Sequence, residues 1–469
     1  YVLRHFIKRG CANFDTASIS KKVMKELGID IETYSSRDLA KCGVYKYVEA
    51  PDFTILLFAY SVDNGPVSCV DFAQGEELPD EIYNALMDPH VIKTAWNAAF
   101  ERICLSKHFG FSQPLDPAQW KCTMVRAARM GLPLSLGQCG EVLKLADGKM
   151  TEGKTLIRFF SMPGRNGVRH LPSAAPDRWE MFKKYCMRDV EVEQALLAKV
   201  RRLEPAEFDE QLYIIDQEIN DRGVLIDRVL VDAAARFDVE YKAELLKEAQ
   251  NITGLNNPNS AAQLKSWLNE NTGIGVISSL NKKSIDEIED ALIYWPKARR
   301  VIALRREMAK TSNKKYEAMQ TCVCDDGRIH GLLQFCGAAR TGRWAGRLVQ
   351  VQNLPQNHLN DLDYARTLVK TGDLEEFEMN YADVTQVLSE LIRTAFIASP
   401  GHILHICDFS AIEARVIAWI AGESWVLDVF REGGDIYIVL LPRRCLVYLS
   451  KSMVKIAICA KRVKYPCWR

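Results

Sequence analysis

"ICDFSAIEARVIAWIAGE", residues 406–423, sets one carboxylate where two patterns meet. Before it, "HILHICDF" (402–409) is rich in Ile and reads as a strand. After it, "SAIEARVIAWIAGE" (410–423) repeats apolar residues at helical spacing. Ser410 and Glu413 stand three apart at the start of that helix, the pattern of a capping box. Glu413 is thus either a cap or a group with chemistry to perform. Asp408 is either an ordinary strand-end acid or a metal ligand, and the stretch by itself leaves both choices open.

The bulk of the chain narrows the setting. Its 469 residues, 48% hydrophobic and 26% charged, imply two to four globular domains. No apolar run approaches the roughly 18 residues of a membrane span, and none of the opening text reads as a signal peptide. We therefore expect no membrane partner and a cytoplasmic setting. Fourteen cysteines without paired CxxC spacing read as buried thiols rather than disulfides or zinc ligands. The net charge of +1 hides an uneven distribution: residues 438–469 hold eight Lys/Arg and no acid, so the remaining 53 basic residues face 60 acids. Any nucleic-acid surface must be a local patch. Residues 1–23 also look foreign, with five Lys/Arg, one acid and no sustained period. The expected start is Met24.

From 24 to about 200, strands such as "LGIDIETY" (27–34) and "TILLFAYSV" (54–62) alternate with helices such as "PDEIYNALM" (79–87) and "RWEMFKKYCMRDVEVEQALLAKV" (178–200). This is α/β alternation, interrupted by the Pro/Gly-rich loop "SMPGRNGVRHLPSAAPD" (161–177). From 201 to 330 the pattern is almost wholly helical. Ser260 and Gln263 form a second capping-box pattern, and "VIALRREMAKTSNKKYEAM" (301–319) reads as one long cationic helix. Beyond it, "GRIHGLLQFCGA" (327–338) reads as a strand and "YADVTQVLSELIRTAFI" (381–397) as a helix.

Asp30 and Glu32, two apart on a strand, project from one face. Acids in an apolar strand are disfavoured unless cations compensate them, and hard divalent ions suit such oxygens. Alone, the pair could equally be surface acids. Two further stretches weigh against that: "AWNAAFERICL" (95–105), with Asn97, Phe100 and Glu101, and "YCMRDVEVEQAL" (185–196), with Tyr185 and Asp189 on one helix face. In this order they resemble the three motifs of DEDDy proofreading nucleases. The resemblance implies an RNase H-like fold and two-metal 3′→5′ phosphodiester hydrolysis. Asp30, Glu32, Glu101 and Asp189 would hold the ions, Mg²⁺ or Mn²⁺, and Tyr185 would position the nucleophile. Glu101 departs from that family, which usually has Asp there.

The text around the opening stretch resembles motif A of family A DNA polymerases of phage and prophage type, over "LSELIRTAFIASPGHILHICDFSAIEARVIAWIAGE" (388–423). "ARTGRWAGRLVQVQNLPQ" (339–356) resembles that family's template-primer segment, and "EINDRGVLID" (218–227) with "NPNSAAQL" (257–264) its thumb entrance. The resemblance implies phosphoryl transfer between two further ions, held by Asp408 and the Phe409 carbonyl. It implies that Glu413 selects deoxynucleotides, that Arg343, Gln352 and Asn353 touch the duplex, and that Arg415 orders the site. Lys297, Arg299, Arg300, Arg305, Arg306, Lys310, Lys314 and Lys315 form the local basic patch, for backbone phosphates or simply for solvent.

The expected architecture is an α/β RNase H-like exonuclease domain (24–200), a helical thumb (201–330) and an incomplete α+β palm (331–437). The implied partners are primer-template DNA, single-stranded 3′ ends and deoxynucleoside triphosphates. After "GGDIY" (433–437) neither a nucleotide-gripping helix nor the family's late His-Asp-Glu motif can be read. A shifted reading frame is expected to account for 438–469, since "PRRCLVYL" (442–449) permits SQMFGVPV when each codon starts one base earlier. This copy is thus expected to be truncated and inactive as a polymerase. The rival readings are an autonomous 3′→5′ exonuclease and a non-catalytic primer-template binder.

Overall fold

The computed structural model describes residues 24–145, 150, 152–200, 206–273, 277, 279–338, 340–434 and 436. The expected leader (1–23) and shifted-frame tail (438–469) lie outside the described residues. The chain divides into two units, Tyr1–Gly401 and His402–Arg469.

The first unit begins with strands β1 (Glu26–Tyr34), β2 (Thr54–Val62), β3 (Val67–Asp71), β4 (Ile92–Ala95) and β5 (Trp120–Cys122). They form one sheet in the order β3-β2-β1-β4-β5, with β1 antiparallel to β2 and parallel to β4. Asp63 and Asn64, both at positive φ, turn the chain from β2 towards β3, as the short polar side chains allow. The Asp63 carboxylate also accepts from the amides of Lys25 and Glu26, at 2.9 and 3.0 Å, and pins the start of β1.

Helices α1 (Leu39–Val48), α2 (Asp80–Met87) and α3 (Ala98–His108) share one core with Leu27, Ile29 and Ile31 of β1. Then come α4 (Thr123–Arg129), α5 (Leu136–Val142), α6 (Gly153–Phe160) and the 25-residue α7 (Pro176–Val200). Trp179, Phe182, Tyr185, Cys186 and Val190 of α7 pack with Phe160 and Tyr34 in a separate core. Period-two alternation along β1 therefore sends its Ile residues one way and leaves Asp30 and Glu32 pointing the other.

After α8 (Glu207–Arg222) and β6 (Val224–Leu225), α9 (Arg228–Thr253) is the axis of a helical core. Asp227 caps α9 by accepting from the Leu230 amide and is itself held by Arg366 and Lys370. Against it pack α12 (Pro296–Met308) and α13 (Lys314–Cys322), while α10 (Ala261–Asn271) and α11 (Lys282–Ala291) share a separate core with α12. Next come β7 (Arg328–Ile329), β8 (Leu333–Ala338) and β9 (Arg343–Gly346), then α14 (Leu362–Thr371), α15 (Leu374–Asn380) and α16 (Val384–Leu391). β6 pairs with β7, and β8 pairs with β9 in an antiparallel hairpin.

Five local expectations are corrected. The cationic helix at 301–319 is two helices, because the polar side chains between them bond elsewhere. Asn313 donates to Asp238 at 2.7 Å and to the Thr385 carbonyl at 3.3 Å, and Ser312 pairs with Ser389 at 2.8 Å. The strand at 327–338 is β7 and β8, divided at Gly331, whose φ of 67° no strand residue adopts. The box at Ser260 is half formed: its side chain accepts from the Gln263 amide, while its own amide bonds the Asn257 carbonyl.

The other two corrections lie in the second unit, which holds α17 (Ile412–Ala421) and α18 (Ser424–Arg431). Residues 402–409 are not a strand, because no described segment pairs with them and an unpaired strand leaves its backbone to solvent. The box at Ser410 and Glu413 does not form either. Ala411, at φ 53°, starts the helix without a side-chain cap, and the Ser410 carbonyl takes the Arg415 Nε at 2.7 Å.

Candidate functional site

Every acid singled out in residues 24–200 reaches one neighbourhood. Asp30 and Glu32 lie on β1, the strand flanked by β2 and β4. The β1–β2 register shifts between Glu32 and Thr33, an irregularity of the kind that re-aims a side chain. Asn97 adopts the left-handed region (φ 84°), which Asn tolerates well, and accepts the Phe100 amide at 2.8 Å. That turn starts α3 and puts Glu101 in its first turn, 4% exposed. Tyr185 and Asp189 are buried on α7.

These carboxylates crowd one another. Burial raises Glu101 well above the usual carboxylate range, and the charges of Asp30, Glu193 and Glu32 add to it. Burial likewise pushes Tyr185 far up, reinforced by Asp189, Glu32 and Asp30. The Cys186 Sγ lies 3.5 Å from Asp30 Oδ2, and its thiol is raised by burial too. The Tyr185 ring stacks on Phe182 with centroids 6.2 Å apart. Gly153 gives it room: a Cβ there would overlap Cε2 and sit 2.7 Å from Cδ2 and Cζ.

Sequence reasoning missed Glu193. It is 3% exposed on α7, hydrogen-bonded to Thr123 Oγ1, and pushed up to about 8 by burial, with Asp30, Glu26 and Asp189 adding to the rise. Its signal was present, since 185, 189 and 193 repeat at four and fall on one face of α7.

Buried mutual repulsion of this sort calls for cations or protons. The donor chemistry suits a hard divalent ion: all candidates are carboxylates, and Glu101 Oε2 is buried without a hydrogen-bond partner. As the side chains stand, however, no group of three or more His, Cys, Asp or Glu among the described residues is arranged to hold a metal.

The remaining candidates fall in two places. In the first unit, Arg343 is exposed on β9, and Gln352 and Asn353 are exposed on the 3₁₀ turn Val351–Asn353. Five of the eight basic residues are already engaged. Arg300 grips Glu248 at 2.7 and 2.8 Å, and Arg306 meets Glu289 at 2.7 Å. Arg305 donates to the Asn259 carbonyl at 2.7 Å, Lys315 to the Val349 carbonyl at 2.5 Å, and Lys310 to Gln386. Lys297, Arg299 and Lys314 are exposed. In the second unit Asp408, Phe409 and Glu413 are exposed, and the Arg415 guanidinium lies 4.2 Å from the centroid of the Phe430 ring.

The model of DNA polymerase family A matches residues 230–445. The DNA polymerase of Bacillus phage SP02 is 55% identical over 424 residues, 88% of this chain. Residues 230–445 belong to DNA polymerase family A. The chain spans 64% of the length of the phage enzyme. It is also 26% identical over 340 residues to DNA polymerase I of Chloroflexus aurantiacus, covering 68% of this chain and 32% of that one. Its fold is similar to the POL domain of Pol1 from M. smegmatis, a structure in complex with DNA primer-template and dNTP. The TM-score is 0.51 at 16% identity, over 90% of this chain and 64% of that one. Among the described residues no helix is long and apolar enough to cross a membrane.

Proposed function

We propose that this chain serves DNA-directed DNA synthesis, and that residues 24–200 are its RNase H-like 3′→5′ exonuclease. Residues 201–330 would then be the thumb and 331–437 part of the palm. The observation that carries the exonuclease reading is the gathering of Asp30, Glu32, Glu101 and Asp189 from β1, α3 and α7 beside Tyr185. Those four carboxylates would hold two Mg²⁺ or Mn²⁺ ions, which would supply Lewis acidity for attack at phosphorus and for the departing 3′ oxygen. The chain's own part is to hold that charge in place. Its phenol kept protonated, Tyr185 orients the attacking water as a hydrogen-bond partner rather than as a base. Glu101, one methylene longer than Asp, reaches the cluster from the first turn of α3.

For synthesis, the assignments are Asp408 and the Phe409 carbonyl as ligands for a second ion pair, Glu413 as the deoxynucleotide selector and Arg415 as its support. Arg343, Gln352 and Asn353 would touch primer-template DNA, and the exposed cations of α12 and α13 its phosphates. The test is a 5′-labelled single-stranded oligonucleotide with Mg²⁺ or Mn²⁺. The chain should shorten it from the 3′ end, and the double substitution Asp30→Ala with Glu32→Ala should bring the rate to background. Full activity in that variant would remove the assignment.

A further inference from the structure

The editing carboxylates and the duplex-contacting hairpin each lie one residue from a polar anchor, and both anchors grip α8. Arg102 follows Glu101 on α3 and is 1% exposed. Its two terminal nitrogens donate to the two oxygens of Asp221 at 2.7 Å each, to the Leu115 carbonyl at 2.8 Å and to Gln217 at 3.3 Å. The Tyr45 hydroxyl adds another donor to Asp221 at 2.5 Å. On the other flank Trp344 follows Arg343 on β9. Its indole N–H donates to Asp216 at 2.8 Å, and its ring meets Phe335 edge-on at 5.0 Å. Asn220 then bonds the Leu333 backbone in both directions, at 3.0 Å each, and fixes the start of β8.

Asp216, Gln217, Asn220 and Asp221 all belong to the last two turns of α8. A buried ion pair is a poor source of stability, because both groups lose their hydration. It is a good source of geometry, since the planar guanidinium fork fixes angle as well as distance. Neither group contacts the candidate chemistry directly, so stability and catalysis leave the cost unexplained.

We propose that α8 is a rigid bridge that sets the placement of the editing carboxylates relative to the β8–β9 hairpin. Arg102, Asp221, Asp216 and Trp344 are its positioning residues, and they govern how a paired primer end reaches the editing site. The inference rests on the reading above for the roles of Glu101 and Arg343. A single-stranded end needs no such registration, because it reaches the carboxylates without engaging the hairpin.

Three variants test the bridge in the full chain: Asp221→Asn, Asp221→Glu and Trp344→Phe, the last keeping the aromatic packing while removing the N–H. One readout is 3′ degradation of an oligonucleotide alone against the same strand annealed as a primer. The other is hydrogen exchange at the β8 and β9 amides. For Trp344→Phe and Asp221→Asn, the paired-to-single-strand rate ratio should shift about fivefold or more, at the low end of ordinary site-to-site coupling. The hairpin amides should exchange faster, and Asp221→Glu should recover part of both effects. An unchanged ratio with unchanged exchange in folded Trp344→Phe overturns the bridge. If the wild type degrades neither substrate, the exonuclease reading fails instead, and exchange alone decides the bridge.

Discussion

Replacing Gly153 with Ala tests whether Tyr185 acts in the proposed editing chemistry. The added methyl would overlap Tyr185 Cε2 and lie 2.7 Å from two other ring carbons. Carbon atoms rest at about 3.5–4.0 Å, so the ring edge must retreat by about 1.5 Å. It has little freedom to do so, being 2% exposed and stacked on Phe182. Overpacking of this kind costs about 1–3 kcal/mol of stability. A 1 Å misplacement of a positioning group costs about 10²-fold in rate. The assay is single-turnover removal of the 3′ nucleotide with enzyme in excess, alongside a thermal melt. Tyr185→Phe should slow the same step, and the double variant should be little slower than the slower single one, because both remove one function. Wild-type turnover in a folded Gly153→Ala variant would refute the role given to Tyr185.

Further outcomes follow from the same geometry. Free Glu ionises near 4.5, whereas Glu193 in the fold titrates at about 8. Its contribution to stability is therefore complete below pH 4.5 and is lost as pH rises through 8, at up to ~1.4 kcal/mol per unit. Glu193→Gln should leave Tm in chelator almost unchanged at pH 4.5 and raise it at pH 8.5. Mg²⁺ should raise Tm at pH 8 in the wild type but not in the Asp30→Ala, Glu32→Ala variant, as a ligand of the folded state must. Removing Lys297, Arg299 and Lys314 together should lower the salt slope of primer-template binding by about 2–3, measured by anisotropy titrations. Removing Arg300 and Arg306, already paired with Glu248 and Glu289, should change it less.

Much of this was legible in the sequence where one segment decides its own conformation. The apolar run "TILLFAYSV" gives β2 over Thr54–Val62, and the helical period of "RWEMFKKYCMRDVEVEQALLAKV" gives most of α7. Legibility failed where a distant partner decides. Nothing local to Asn313 says that Asp238 and Thr385 will take its side chain between two helices. The Ile-rich 402–409 has the composition of a strand, yet pairing is a property of two segments. The pairing within the basic patch is hidden for a related reason. Charge counts cannot see that Glu248 and Glu289 reach α12 from other helices.

Glu193 shows how the site divides its charge. One more carboxylate in an already acidic, buried place would repel Asp30 and Asp189, and burial raises the cost. Retaining its proton near neutral pH, and tied to Thr123 on α4, it occupies space without adding full charge. Of the four motif acids Asp30 alone is partly exposed. On the proposed reading, protons would settle the acid held on Thr123, and cations the four motif acids. Substituting Glu193 with Gln would therefore preserve the proposed metal set, whereas the same change at Glu101 would remove a donor from it.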